Sequence, residues 1–250
     1  MYPTLFEIGN LSVSSFTVCS IIAFLMAYII GIIEFKRKGI SESLLDLLFG
    51  LSIIGGVIGA KLLFLFQNAT LSQFLAEPLR YLSSGYTFYG GLLAAIFTFV
   101  IVTRLKKINF WLIGDAAAPA LLLAYSIGRI GCLLIGDDYG TPSGLPWAVS
   151  FPNGSPPTSE RVHPTQLYDT ILMFIAFLFL WRIRKRDLPV GWISYATLLI
   201  LGVERFLIEF IRSTTPSFIP LLSQAQIISV GFIVVGLYKF MQLKIRTKNF

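Results

Sequence analysis

The chain has 250 residues, 55% of them hydrophobic and only 13% charged, with a formal net charge of +7 and a mean hydropathy of +0.76. Soluble domains carry about a quarter charged residues, so a soluble globular protein is excluded. Several apolar runs reach the roughly 20 residues that cross a bilayer core, and the composition is that of a polytopic membrane protein.

Apolar runs set against breakers predict seven spans, near 12–33, 44–66, 87–103, 109–135, 166–181, 191–211 and 222–241. No basic region precedes the first, which therefore reads as a span and not as a cleaved signal peptide. Cys19 in this span and Cys132 in the fourth read as small buried hydrophobes, with neither disulfide nor metal-ligand spacing. The second span holds GGVIGAK, a small-residue surface for close helix packing, with Lys61 near its outer end. The third opens at YTFYGGLL, where the Tyr89 hydroxyl precedes Gly90 and Gly91, residues that let backbone approach a helix or a ligand. Pro119, Gly128 and Gly131 in the fourth predict a kinked or partly unwound helix. The fifth span is short, and the sixth contains GVERFLIEFIRS.

The basic residues set the orientation. Fourteen of the twenty fall on one side: Lys36, Arg37 and Lys38 after span one, Arg104, Lys106 and Lys107 after span three, Arg182, Arg184, Lys185 and Arg186 after span five, and Lys239, Lys244, Arg246 and Lys248 at the end. Only Arg80 and Arg161 fall in the opposite loops. The positive-inside rule then puts the N-terminus outside, the C-terminus in the cytoplasm and the 136–165 loop outside. The positive charge is cytoplasmic anchoring and gives no argument for nucleic acid. Asp46 and Asp115 fall near inner ends, where solvation accounts for them.

Arg129 stands out, because AYSIGRIGCLLIGDDYG is otherwise membrane-buried helix. On this topology it lies about 10 Å below the outer edge, at 1.5 Å per residue. A cation there needs a partner, a water-filled cavity or a ligand. One reading pairs it across helices with Glu209 or Glu204. The other makes an anion site of Arg129 and Arg205 for a phospholipid phosphate, whose oxygens suit the planar guanidinium fork. Arg205, Glu209 and Arg212 stand four and three apart, along one helical face, and form either a self-satisfied ladder or a net positive strip that an anion completes. The Gly-, Pro- and Ser-rich outer loop carries the single histidine, His163.

GRIG at 128–131, GDDYG at 136–140, PWAVSFP at 146–152, HPTQLYD at 163–169 and RFLIEFIR at 205–212 occur in this order. With them, and with YTFYGGL and GGVIGAK, nearly the whole chain resembles the prolipoprotein diacylglyceryl transferase family. The resemblance implies an all-α, multi-pass enzyme of the bacterial cytoplasmic (inner) membrane, one domain over 1–250 with seven spans. Such an enzyme moves diacylglycerol from phosphatidylglycerol to the lipobox cysteine thiol of preprolipoproteins, releases glycerol phosphate, and uses no metal or soluble cofactor. It implies that Arg129 binds the lipid phosphate and that Arg205 assists binding or catalysis. It places Tyr89 with these two as catalytic, and Glu209, Arg212, His163, Gly90 and Gly136 with them in substrate binding. The chain departs from the family where Tyr89 replaces a usual histidine, Cys132 and Ile135 replace asparagines, Asp137 a glutamate, Leu201 a tyrosine and Lys61 an arginine. Those departures leave the thiol's base unassigned and keep two alternatives: a related transferase with another donor or acceptor, and a non-catalytic phospholipid-binding homologue.

Overall fold

The computed structural model describes residues 2–9, 11–83, 85–212 and 222–248, with backbone alone for Ile8, Leu11, Leu71, Phe88, Tyr89 and 244–248. A hairpin of β1 (Thr4–Ile8) and β2 (Leu11–Ser14) precedes α1 (Ser15–Arg37). There follow α2 (Glu42–Asn68), the short α3 (Leu71–Ala76) and α4 (Pro78–Ser83), α5 (Phe88–Leu105) and α6 (Phe110–Ile135). After α6 come β3 (Val149–Phe151) and β4 (Thr158–Val162), then α7 (Thr165–Ile183), α8 (Trp192–Ile208), a 3-10 turn (Glu209–Ile211) and α9 (Gln224–Lys248). The expected all-α architecture thus gains two small antiparallel hairpins, and the outer loop is partly ordered by the pairing of Val149 with Val162 and Phe151 with Thr158.

Among the described residues, five helices, beginning at Ser15, Glu42, Phe110, Thr165 and Gln224, are long and apolar enough to cross a membrane, and 90–105 forms a shorter apolar helix. Their outer faces carry bare apolar side chains, among them Phe24, Phe66, Phe97, Leu121, Phe179 and Val234. In a soluble protein so much exposed apolar surface would aggregate; here it is the surface of a multi-pass membrane protein.

The chain forms two compact units, residues 32–113 and residues 1–31 with 114–250. In the first, α2 and α5 cross at glycines. A Cβ on Gly59 would lie 2.3 Å from the Ala94 Cβ, and one on Gly90 would lie 2.3 Å from the Gly59 carbonyl oxygen. The expected close approach at Gly90 is therefore to a helix.

In the second unit, Leu122, Met173, Leu180, Ile193 and Ala196 build a core between α6, α7 and α8. The partial unwinding expected of α6 is absent, and the helix continues through Pro119. Gly131 is a packing notch whose missing Cβ would stand 2.9 Å from the Cys19 Cβ, and a Cβ on Gly128 would meet nothing within 4 Å among the described residues. The helix ends at Gly136, whose φ of +72° turns the chain out as a C-terminal glycine does.

Asp115 is also unlike its expectation. It is 2% exposed and caps α8, accepting from the Gly191 amide at 2.7 Å and from the Ser194 amide and hydroxyl at 2.8 Å each. A carboxylate suits the positive end of a helix, whereas solvation would have left it at the surface. Asp115→Ala removes the acceptor of buried donors and is expected to lower stability by about 1–3 kcal/mol, read as a fall in the detergent-solubilised protein's melting temperature.

Candidate functional site

The second unit gathers its buried charges where α6, α7 and the end of α8 meet the 136–142 loop. Arg129 is 7% exposed. Its Nη1 donates to Asp138 Oδ2 at 3.0 Å, and its Nη2 stands 2.5 Å from Asp169 Oδ2. Neither carboxylate is one of the predicted cross-helix partners, Glu209 and Glu204. Asp169 reaches the arginine because Thr165 and Asp169 share a face of α7, four residues apart, and both are fully buried.

The loop is held in shape by its backbone. Thr165 Oγ1 donates to the Asp138 carbonyl at 2.7 Å, and the Gln166 amide donates to the Asp137 carbonyl. The Gly140 amide donates to the His163 carbonyl at 2.8 Å, and that of Thr141 to the Ile211 carbonyl at 2.8 Å. Gly136 contributes a turn, its carbonyl accepting from Ser155 at 2.9 Å. Asp138 sits at φ +58°, a left-handed conformation that aspartate tolerates better than most residues. Its side chain then reaches both Arg129 and Arg212.

That second contact changes the reading of the last helix. α8 stops at Ile208, the 3-10 turn follows, and Arg212 is extended. Arg205 still pairs with Glu209 at 3.0 Å, but Arg212 leaves the ladder for Asp138. Glu209 also accepts from Ser223 Oγ at 2.7 Å, and this serine caps α9, accepting from the Gln226 amide at 3.1 Å.

Asp138 is half-exposed. Burial opposes its charge, but the hydrogen bond and charge of Arg212, joined by Arg129, hold its carboxyl below the usual range. Asp137 is pushed the other way, by burial and then by Asp138. A depressed carboxyl stabilises the fold above its unfolded pKa of about 3.9, and that contribution disappears as pH falls through the lower folded value. Wild type should therefore melt above Asp138→Asn from pH 7 to pH 5, with the gap closing below about pH 3.9.

The Cys132 sulfur and the Asp137 and Asp138 carboxylates lie within 4.8 Å of one another, but the two guanidinium groups on Asp138 oppose a cation there. His163 approaches Tyr168 Oη at 3.3 Å through Nδ1, and Trp147 donates to that oxygen at 2.8 Å. These bonds give His163 a place in the loop's framework. The Tyr89 side chain lies outside the described residues. Of the expected site, the structure brings together Arg129, Arg212 and Gly136 in one network, with Arg205 and Glu209 paired in the same unit. Reasoning from sequence missed Asp138, Asp169 and Ser223. Both aspartates stood in quoted motifs, GDDYG and HPTQLYD, but nothing in their spacing from Arg129 reveals the contact.

The family model for prolipoprotein diacylglyceryl transferase matches residues 3–242. The chain belongs to that family. A Clostridium tetani relative named phosphatidylglycerol--prolipoprotein diacylglyceryl transferase is 32% identical over 96% of this chain and 97% of its own. Relatives of the same name from Geobacter sulfurreducens and Bordetella avium are 34% and 32% identical, over 84% and 95% of this chain and 82% and 93% of theirs. Within this diacylglyceryl transferase family member, Arg129 lies inside the matched segment together with both of its carboxylate partners.

Proposed function

We propose that the protein transfers a diacylglyceryl group from phosphatidylglycerol to the lipobox cysteine thiol of preprolipoproteins, releasing glycerol phosphate, in the bacterial cytoplasmic membrane. Seven spans, an outer N-terminus and 136–165 loop, and a cytoplasmic C-terminus in a single membrane domain belong to this reading. This chain matches 97% of the length of the Clostridium tetani relative and 93% of that of the Bordetella avium relative, which supports the activity. The observation that carries the site is Arg129: its Nε is buried with no hydrogen-bond acceptor among the described residues, and one of its carboxylate partners, Asp138, is half-exposed on a loop.

A phosphate oxygen supplies the acceptor that Nε lacks, and a phosphodiester can replace Asp138 between Arg129 and Arg212. The acceptor thiolate then attacks the glyceryl carbon. The sulfur–carbon bond forms, the carbon–oxygen bond to phosphate breaks, and charge grows on the departing glycerol phosphate. Fixed guanidinium groups of Arg129 and Arg205 stabilise that charge, with Glu209 holding Arg205. The resemblance counts Tyr89 among the catalytic residues, and at an ordinary pKa of about 10 its hydroxyl is a poor base. Gly90, Gly136 and His163 serve the substrate indirectly, through the helix crossing and the loop they hold.

The test is purified protein in vesicles with a lipobox peptide and a panel of phospholipid headgroups. A diacylglyceryl thioether formed from phosphatidylglycerol supports the proposal. Product only from another headgroup would assign a different donor, and no product from any would overturn the activity.

A further inference from the structure

The 136–165 loop carries an apolar turn that takes no part in the transfer scheme. Leu145, Trp147 and Val149 are all exposed, Trp147 at 55%. The Ala148 amide closes the turn on the Leu145 carbonyl at 3.0 Å, and the Leu145 amide donates to Ser143 Oγ at 3.3 Å. Arg161 reaches across from β4. Its Nη2 donates to the Pro146 carbonyl at 3.0 Å, and its Nε and Nη2 donate to the Ala148 carbonyl at 3.1 and 2.9 Å. Every backbone polar group of Leu145, Pro146 and Ala148 is therefore bonded within the protein, proline having no N–H to satisfy. A loop in water can leave such groups to the solvent, whereas backbone that meets lipid must satisfy them itself.

The indole fixes where this turn sits. Trp147 Nε1 donates to Tyr168 Oη at 2.8 Å, one turn into α7, so its only N–H is satisfied and the ring shows apolar surface outward. Tyr168 heads a stripe of α7 at i, i+4, i+7 and i+11 with Leu172, Ile175 and Phe179. Those three are exposed on a helix long and apolar enough to span a membrane. At 19 residues α7 is about 28 Å long at 1.5 Å per residue, close to a hydrocarbon core of about 30 Å. Its first turn then stands at one edge of the core, and its last, with Trp181 and Arg182, at the other. Both are levels where Trp and Tyr collect. We propose that residues 145–149 lie in the interfacial layer of the bilayer, with Leu145, Trp147 and Val149 against lipid, and anchor the loop there. The Trp147–Tyr168 bond makes the turn a continuation of the lipid-facing stripe, which favours lipid over the apolar segment of a protein substrate as its cover. The exposed Arg161 guanidinium, clamped on the same turn, suits the phosphates of that layer. On the orientation proposed above, the leaflet is the outer one.

Two measurements on the full chain in phosphatidylglycerol vesicles test the anchor. A nitroxide on Leu145→Cys should collide more often with oxygen, which concentrates in lipid, than with a water-soluble nickel chelate. A nitroxide on Glu160→Cys, exposed in the same loop, should show the reverse order. Wild type labelled in parallel gives the background from Cys19 and Cys132. The fluorescence difference between wild type and Trp147→Phe isolates Trp147 from the other three tryptophans. That difference should be quenched by lipids with a nitroxide on the headgroup and shielded from iodide in the water. Either variant carries the test if the other fails to fold. Preferential collision with the chelate at position 145, or quenching of Trp147 by iodide and not by lipid, overturns the anchor. A turn open to chelate and iodide until a lipobox peptide is added, and shielded afterwards, also overturns it and assigns the surface to the acceptor. Neither measurement uses turnover, so a failed peptide assay beside a lipid-quenched Trp147 overturns the transferase reading alone.

Discussion

Arg129→Ala is expected to lose at least about a hundredfold in turnover of phosphatidylglycerol with a lipobox peptide, the usual cost of removing one fixed donor from a developing anion. It should also lose stability, because deleting one partner of a buried ion pair leaves the other charge uncompensated, at about 3–5 kcal/mol. The two losses separate in the double variant. Asp169→Asn in the Arg129→Ala background removes the stranded carboxylate, so the melting temperature should recover while turnover does not. Recovery of both would show that Arg129 holds the helices together and takes no part in the chemistry. Unchanged turnover in Arg129→Ala alone would remove it from the site altogether.

Gly140→Ala is expected to have an effect of similar size from a residue with no side chain to react. A Cβ there would stand 2.3 Å from the Ile211 carbonyl oxygen and 2.8 Å from the His163 Cβ. Much of that crowding is backbone, which no rotamer change relieves. Gly140 pairs with Arg212 and donates its amide to His163, so the clash separates the loop from the chain that carries Arg212. Overpacking of this kind costs about 1–3 kcal/mol. Turnover should fall by about a hundredfold if Arg212 is carried out of reach of the phosphate. Crosslinking a cysteine pair placed on the two strands would read the separation directly. A variant with wild-type turnover would show that Asp138 and Arg212 need not be held together.

The apolar runs made the long helices readable, since membrane-crossing length and hydropathy are local properties of a sequence. Arg129 was readable as an energetic anomaly for the same reason. Its partners were not, because Asp169 lies one turn into α7, forty residues along the chain from Arg129, and Asp138 lies in a loop. Their approach depends on a glycine turn at Gly136 and a left-handed Asp138. The Arg205, Glu209 and Arg212 face was predicted from helical spacing, and it fails where α8 gives way to a 3-10 turn. Extended backbone at Arg212 lets Thr141 bond to Ile211 and Asp138 reach the guanidinium, a tertiary gain that periodicity cannot register. Asp115 shows the reverse error. Its place near a helix end suggested solvent, whereas the neighbouring helix needed an acceptor for its first amides.

The cap on α8 has a mechanical side. Asp115 fixes the start of this helix, and Glu209, bonded to Ser223, fixes its exit. At 17 residues it is roughly 25 Å long at 1.5 Å per residue, and the three-residue 3-10 turn adds about 6 Å at 2.0 Å per residue, which together match a hydrocarbon layer of about 30 Å. A helix tethered at both ends is a strut that cannot lengthen, and tilting would only shorten its reach. On the seven-span reading α8 and its turn have little slack for tilting. The two tethers then hold Arg205, in the proposed site, at one fixed depth.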